Sequence, residues 1–302
     1  MYGPHGRPHN LHYPPRHWTC SVQSVLDCYY PGRSFPSVSV TGRSCSLRCR
    51  HCAGRYLEGM VPATEPDELL SFATSLSEAG GKGFLLSGGS DVDGRVRLER
   101  FVPAIKRIKS STLLKVNAHV GLAPKESLRE LVEAGVDSFS VDLYGDDETV
   151  REVLGIGASS EEYFSVVRDL MGLGAGTVAP HVCVGVKGGE MSGEMAALRR
   201  LGPISPSTLV IISFIPTRGT DYESRRAPSG EDVVSFVKAA RSSLPRTRIV
   251  LGCMRSRRDR SWELDAVLAG LDGIALPSEE TVRAAAAKGI AIRRKDTCCA
   301  LD

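Results

Sequence analysis

From Phe35 onward the chain alternates between two hydrophobic patterns. Short runs rich in branched apolar residues, at 37–41, 83–86, 113–117, 138–142, 179–185, 209–214, 248–251 and 273–275, with a weaker ninth at 290–293, have the length and composition of strands. Between them lie longer stretches in which apolar residues return every three or four positions, at 65–79, 98–109, 125–134, 161–171, 193–201, 231–243 and 279–287. That is the period of a helix with one buried face. Several starts carry capping chemistry: Thr64 before Glu65 and Pro66, Ser229 before Gly230-Glu231-Asp232, and Ser278 before two glutamates. Gly80–Gly81, Gly135, Gly172 and Gly289 are placed to stop helices in a left-handed cap. Strand and helix in strict alternation predict an α/β protein with a parallel sheet, built as a barrel of the TIM type, complete with eight βα units or partial with six. An open doubly wound sheet is the alternative.

The first part of the chain breaks this rhythm. Residues 1–34 hold five prolines and four of the seven histidines, His5, His9, His12 and His17, and read as an irregular arm in front of a barrel spanning 35–302. No role is assigned to those histidines. The arm has no apolar stretch of the kind a secretory signal needs, and no run in the chain approaches the ~20 apolar residues of a membrane span. The expectation is a cytoplasmic protein that binds no membrane. Lys and Arg total 38 against 35 Asp and Glu, a net charge of +3, which is too small a bias to predict nucleic-acid binding.

The cysteines change the picture. In a reducing compartment nine of them, Cys20, Cys28, Cys45, Cys49, Cys52, Cys183, Cys253, Cys298 and Cys299, point to metal or redox chemistry rather than disulfides. Cys45, Cys49 and Cys52 form a Cys-x3-Cys-x2-Cys set directly after the first predicted strand, at the strand end where barrel enzymes build their sites. Three close thiolates suit three irons of a cubane cluster and leave the fourth open, whereas a structural zinc site needs a fourth nearby ligand. After the second strand, Ser87-Gly88-Gly89 offers a turn that a ligand can approach closely. Further along the same rim lie Asn117 with His119, Asp142 with Tyr144, and the turn 215–220. Cys183, in an apolar run, is expected to pack in the core.

At these residues the chain resembles the radical S-adenosylmethionine superfamily. The resemblance implies that Cys45, Cys49 and Cys52 hold a 4Fe-4S cluster whose open iron binds S-adenosylmethionine, and that cleavage of the cofactor yields a 5′-deoxyadenosyl radical able to take hydrogen from an unactivated carbon. It also implies cofactor contacts from Ser87, Gly88 and Gly89, with Asn117 and Asp142 as candidates for its ribose and carboxylate. The family often has an aromatic residue before the last cysteine; here it is His51, expected as a packed loop histidine. The family's acidic residue after the glycines is displaced, since Ser90 precedes Asp91.

Cys253 follows the seventh strand, and Cys298 and Cys299 sit beyond the last β-like run. A tail folded over the rim brings these three together as ligands of a second, auxiliary 4Fe-4S cluster, with Cys20, Cys28 or another group as the fourth. Segments 35–42, 145–153, 215–220, 252–255 and 298–299 narrow the resemblance to biotin synthase-like proteins, and within them to a component of the two-protein lipoyl synthase. That implies sulfur insertion into an octanoyl or mercaptooctanoyl chain on a lipoyl domain or glycine-cleavage H protein, with the auxiliary cluster as sulfur donor. The implied partners are a second related radical S-adenosylmethionine protein and an electron donor such as ferredoxin or flavodoxin. Biotin-synthase-like or cofactor-maturation chemistry on a small free substrate is the alternative. The run Arg255–Arg260 reads as a docking patch for an acidic carrier.

Overall fold

The computed structural model describes residues 24–302. The four arm histidines and Cys20 lie outside the described residues. Eleven strands form one sheet: β1 Val25–Tyr29, β2 Ser37–Ser39, β3 Val61–Pro62, β4 Gly83–Ser87, β5 Lys115–His119, β6 Ser138–Leu143, β7 Thr177–Val184, β8 Thr208–Ser213, β9 Arg248–Leu251, β10 Gly273–Ala275 and β11 Ala291–Lys295. Their order is β11-β1-β10-β9-β8-β7-β6-β5-β4-β2-β3, and every pairing is parallel. Helices α1 Pro66–Glu78, α2 Val102–Ser111, α3 Lys125–Glu133, α4 Asp147–Thr149, α5 Ser160–Gly172, α6 Glu194–Ile204, α7 Gly230–Ser243, α8 Glu263–Leu268 and α9 Glu279–Ala287 cross over between them. α4 runs on into a single wide turn, Val150–Leu154.

Alternation along the strands separates two faces. Val116, Ala118, Phe139, Val141, Val182, Leu209, Ile211, Ile249 and Leu251 belong to the large core under the helices. The opposite face, with Tyr29, Ala179, Val210, Val250 and Ala275, packs around the tail residues Cys299 and Ala300. Strands as far apart in the sheet as β1 and β6 touch this one tail, through Tyr29 to Asp302 and Ser138 to Ala300, so the sheet curls around it into a partial barrel. β3 and β11 are its free edges.

Two features depart from expectation. Residues 25–29 were expected in the arm, yet they form β1, inserted between β10 and β11. Their central Asp27 is only 1% exposed and is neutralised by Arg248 from β9 and by Arg293 and Lys295 from β11, so the acid that interrupts the local pattern is satisfied by residues distant in sequence. The tail, expected over the rim, instead runs inside the barrel. Ser138, Thr177 and Thr208, the first residues of three neighbouring strands, donate their hydroxyls to the carbonyls of Ala300, Leu301 and Asp302. It forms the barrel floor.

The predicted caps at Ser229 and Ser278 are present, each accepting from a backbone N–H in the first turn, while Glu65 rather than Thr64 caps α1 in a reciprocal box with Glu68. Gly172 lies within α5, and the left-handed residue that follows is Gly174. Among the described residues no helix is long and apolar enough to cross a membrane.

Candidate active site

The loop between β2 and β3 carries Cys45, Cys49 and Cys52 and is held from three sides. Ser46 N–H donates to Ser90 after β4 at 2.8 Å, and Arg50 N–H donates to Val153 after β6 at 2.8 Å. The Arg50 carbonyl accepts from Tyr222 after β8 at 3.2 Å. Tyr56 and Thr217 share a hydroxyl contact of 3.2 Å across the mouth. Two left-handed residues, Ala53 and Gly54, turn the chain after Cys52 so that Gly54 comes back beside the Cys45 side chain. The cysteines thus line one small bowl. Within it, Cys49 and then His51 draw the Cys52 thiol far below its ordinary range, while Cys52 and burial push Cys49 up.

Ser87-Gly88-Gly89 packs directly on this loop. Gly89 N–H donates to Thr41 Oγ1 at 2.7 Å, and a methyl group on Gly89 would stand 2.0 Å from the Ser44 carbonyl and 2.6 Å from Cys45 Cα. Only a glycine permits that approach. The two sequence motifs are one structural unit. Asp91 is turned away: its carboxylate accepts from the Asp93 and Arg95 N–H groups and pairs with Arg97 at 2.6 Å.

The residues fit the cluster that the motif implies. Three sulfurs share a bowl with a close-approach glycine wall, and His51 Nδ1 is buried there without a hydrogen-bond partner. Among the described residues no three His, Cys, Asp or Glu side chains are gathered as one ion would require.

Below the bowl, the inward face of β5–β7 is polar. His119 Nε2 lies 3.1 Å from Asp142 Oδ2 and Nδ1 3.4 Å from Ser87 Oγ. Burial opposes charge on both partners, but each overcomes it in the other: His119 is raised above its ordinary value and Asp142 is lowered to about 2. The pair therefore stabilises the fold in full between about pH 4 and 6.5, the ordinary carboxylate and imidazole values. Its contribution is lost as pH falls through the depressed Asp142 value or rises through the elevated His119 value. An NMR titration of the His119 ring should give a midpoint above about 6.5, and Asp142→Asn should drop it below that value, because burial then acts unopposed.

Asn117 is deeper than the rim, exchanging hydrogen bonds with Ser140 at 3.0 and 3.1 Å and donating to Cys298 Sγ at 3.6 Å. Cys183, expected in the core, is half-buried on the inward face near Tyr144 and Asp142. Tyr144 stacks edge-on against Tyr163 with centroids 5.0 Å apart.

Cys253 is exposed at the mouth, where surrounding protein and then Cys298 raise its thiol. Cys298 faces the interior and Cys299 is buried among Val210, Val250 and Ala275; the two thiols act on each other, and Cys253 acts on Cys299. Cys28 is fully buried in the outer core and is no candidate fourth ligand. The expected arginine patch is also partly internal. Arg255 is 2% exposed and bonded to Glu263, Arg260 bonds Glu263 and the Leu276 carbonyl, and only Arg257 and Arg258 of the run's arginines are exposed.

Sequence reasoning missed His181 and Tyr56. Alternation along β7 puts His181 in register with Asp142, a relation that needs the strand pairing to be known.

A curled parallel sheet with a three-cysteine bowl at the carboxyl ends of its strands defines a radical-type iron–sulfur enzyme. The Radical SAM superfamily model matches residues 39–198, more than half of the chain, and the chain belongs to that superfamily. Biotin synthase of Citrifermentans bemidjiense is 25% identical over 239 residues, covering 76% of this chain and 70% of that protein. The FeFe-hydrogenase maturase HydG shares the fold with a TM-score of 0.63 at 17% identity, over 83% of this chain but 57% of that one. Methylornithine synthase (PylB) gives 0.60 at 19% identity, over 90% and 84%. Membership implies a 4Fe-4S cluster and S-adenosylmethionine as cofactors.

Proposed function

We propose that this enzyme inserts sulfur into an unactivated C–H bond of an octanoyl chain carried on a lipoyl domain or glycine-cleavage H protein. The observation that supports the reading is a second group of sulfurs, Cys253, Cys298 and Cys299, close enough to act on one another's thiols. The Asn117 amide donates to Cys298 Sγ on the inward face and Cys253 is exposed after β9; Ile212 is partly exposed beside them, while Val210, Val250 and Ala275 are covered by Cys299 and Ala300 of the tail. A sulfur source beside the radical-generating site is what insertion of sulfur into an unactivated C–H bond requires.

When bound, the cluster at Cys45, Cys49 and Cys52 supplies the electron that cleaves S-adenosylmethionine and so the radical that takes the hydrogen. The chain's own part is to hold Ser87, Gly88 and Gly89 against the cofactor, to keep water from the inner wall, and to fix the substrate carbon. The sulfur donor in this proposal is an auxiliary 4Fe-4S cluster bound through Cys253, Cys298 and Cys299. A related second protein and a ferredoxin or flavodoxin complete the system. Biotin-synthase-like or maturation chemistry on a small free substrate is the second reading, favoured by the similarity to biotin synthase over 76% of the chain.

Iron and sulfide content of anaerobically reconstituted protein tests the donor. About eight irons falling to about four in Cys45→Ala/Cys49→Ala/Cys52→Ala is expected. About four falling to none removes the auxiliary cluster. Mass analysis of octanoylated carrier against small substrates then separates the two readings by which product gains sulfur.

A further inference from the structure

Residues 24–302 contain three histidines, and all three act on Asp142. His119 is fully engaged, since as an imidazolium it donates from Nε2 to Asp142 and from Nδ1 to Ser87. His181 differs. Its Nδ1 lies 2.8 Å from the Ala179 carbonyl, an atom that only accepts, so Nδ1 carries the proton. Burial, with the neighbouring His119 adding, holds the ring neutral against the pull of Asp142. Nε2 is therefore a bare lone pair, and no described residue donates to it.

Asp142 Oδ1 has no donor among the described residues either, because the contact with His119 is made through Oδ2. Asp142 and His181 are register partners on β6 and β7, so their side chains leave the sheet next to one another on its inward face. Two neighbouring acceptors cannot bond each other; they select a donor. On the far side of His181 its register partner is Val210, which the tail covers, and that of Cys183 is Ile212, which is apolar and partly exposed. A ligand that satisfies both surfaces has an N–H at one point and an aliphatic chain attached to it.

We propose that His181 Nε2, with Asp142 Oδ1 beside it, accepts the N–H of a secondary amide or ureido group of the substrate and thereby sets which carbon of the attached chain faces the cysteine bowl. The inference rests on the sulfur-insertion reading and deepens it. An acyl-lysine amide and a cyclic urea share this donor, and the test distinguishes them.

The probes are an octanoyl-lysyl peptide and a carboxyalkyl cyclic urea, each beside a counterpart with the N–H replaced by oxygen, an ester and a cyclic carbamate. Wild-type enzyme should prefer the N–H form of its true substrate class roughly tenfold in kcat/KM, the worth of one hydrogen bond at a buried acceptor. His181→Leu should lose the preference, and His181→Gln, whose carbonyl oxygen accepts, should regain most of it. Substrate-independent cleavage of S-adenosylmethionine should be unchanged in both variants, which also reports that they are folded. A preference retained in His181→Leu overturns the proposal, as does weakened S-adenosylmethionine binding in both variants, which would place the residue at the cofactor. Turnover of none of the four compounds by wild type overturns the sulfur-insertion reading itself, and the inference with it.

Discussion

Glu263→Ala should lower stability by about 3–5 kcal/mol, the cost of stranding one half of a buried ion pair. Glu263 is wholly buried and accepts from Arg255 Nε at 3.1 Å, from Arg260 at 3.0 Å, from Ser278 N–H at 2.8 Å and from the Thr281 hydroxyl at 3.0 Å. Its partner Arg255 has no route to water, so the guanidinium is left charged and underbonded in the interior. In thermal or urea unfolding this should appear as a midpoint lower by about 10 °C or a matching shift in denaturant. A double change to apolar residues, Arg255→Met/Glu263→Leu, should recover most of the loss, because neither charge is then buried. A single variant as stable as wild type would show that Arg255 finds another partner. Arg255 also donates to the Gly252 carbonyl and so anchors the loop that carries Cys253; under the proposed auxiliary cluster, the variant should bind less iron even where it folds.

Gly89→Ala should be the most damaging conservative change for activity. The added methyl would meet the Ser44 carbonyl at 2.0 Å and Cys45 Cα and Cβ at 2.6 and 2.7 Å, atoms of or next to the backbone that no rotamer change can move. The glycine turn and the cysteine loop must separate, and displacement of about 1 Å at a reacting centre costs on the order of a hundredfold. Cleavage of S-adenosylmethionine should fall by at least that factor, together with iron content. Gly88→Ala is the matched control, since its methyl would meet only side chains, Val40 at 3.0 Å and Thr41 at 3.2 Å, and a loss of only a few-fold is expected. Equal effects at both positions would argue against the packing described.

How much of this could be read from the sequence follows the range of each interaction. The expected strands at 248–251 and 273–275 and the helix at 279–287 coincide with β9, β10 and α9, because periodicity and turn residues are local signals. The cysteine bowl and its glycine wall were legible for the same reason: both motifs lie immediately beyond strands. β1 was not, since Asp27 breaks its apolar run and is balanced only by Arg248, Arg293 and Lys295. Nor was His181, whose chemistry depends on the hydrogen bond that fixes its tautomer and on the register of β7 against β6. That the tail runs inside the barrel and not over its rim was not legible either, because nothing in Cys298-Cys299 announces the three hydroxyls that receive it.

That floor orders events during synthesis. β2 to β9 with their helices emerge from the ribosome so that each strand from β3 onward can dock on one already made, β3 and β4 on β2 and the rest on the strand before. β1 emerges first and must wait, because its partners are β10 and β11, paired to it as Asp27 with Gly273 and Val25 with Ala291. The hydroxyls of Ser138, Thr177 and Thr208 wait as well, until the segment after β11 is available. The cysteine loop is thus translated and framed while the base of the barrel is still a hole, and the seam and the floor close together as the slow, long-range step of folding.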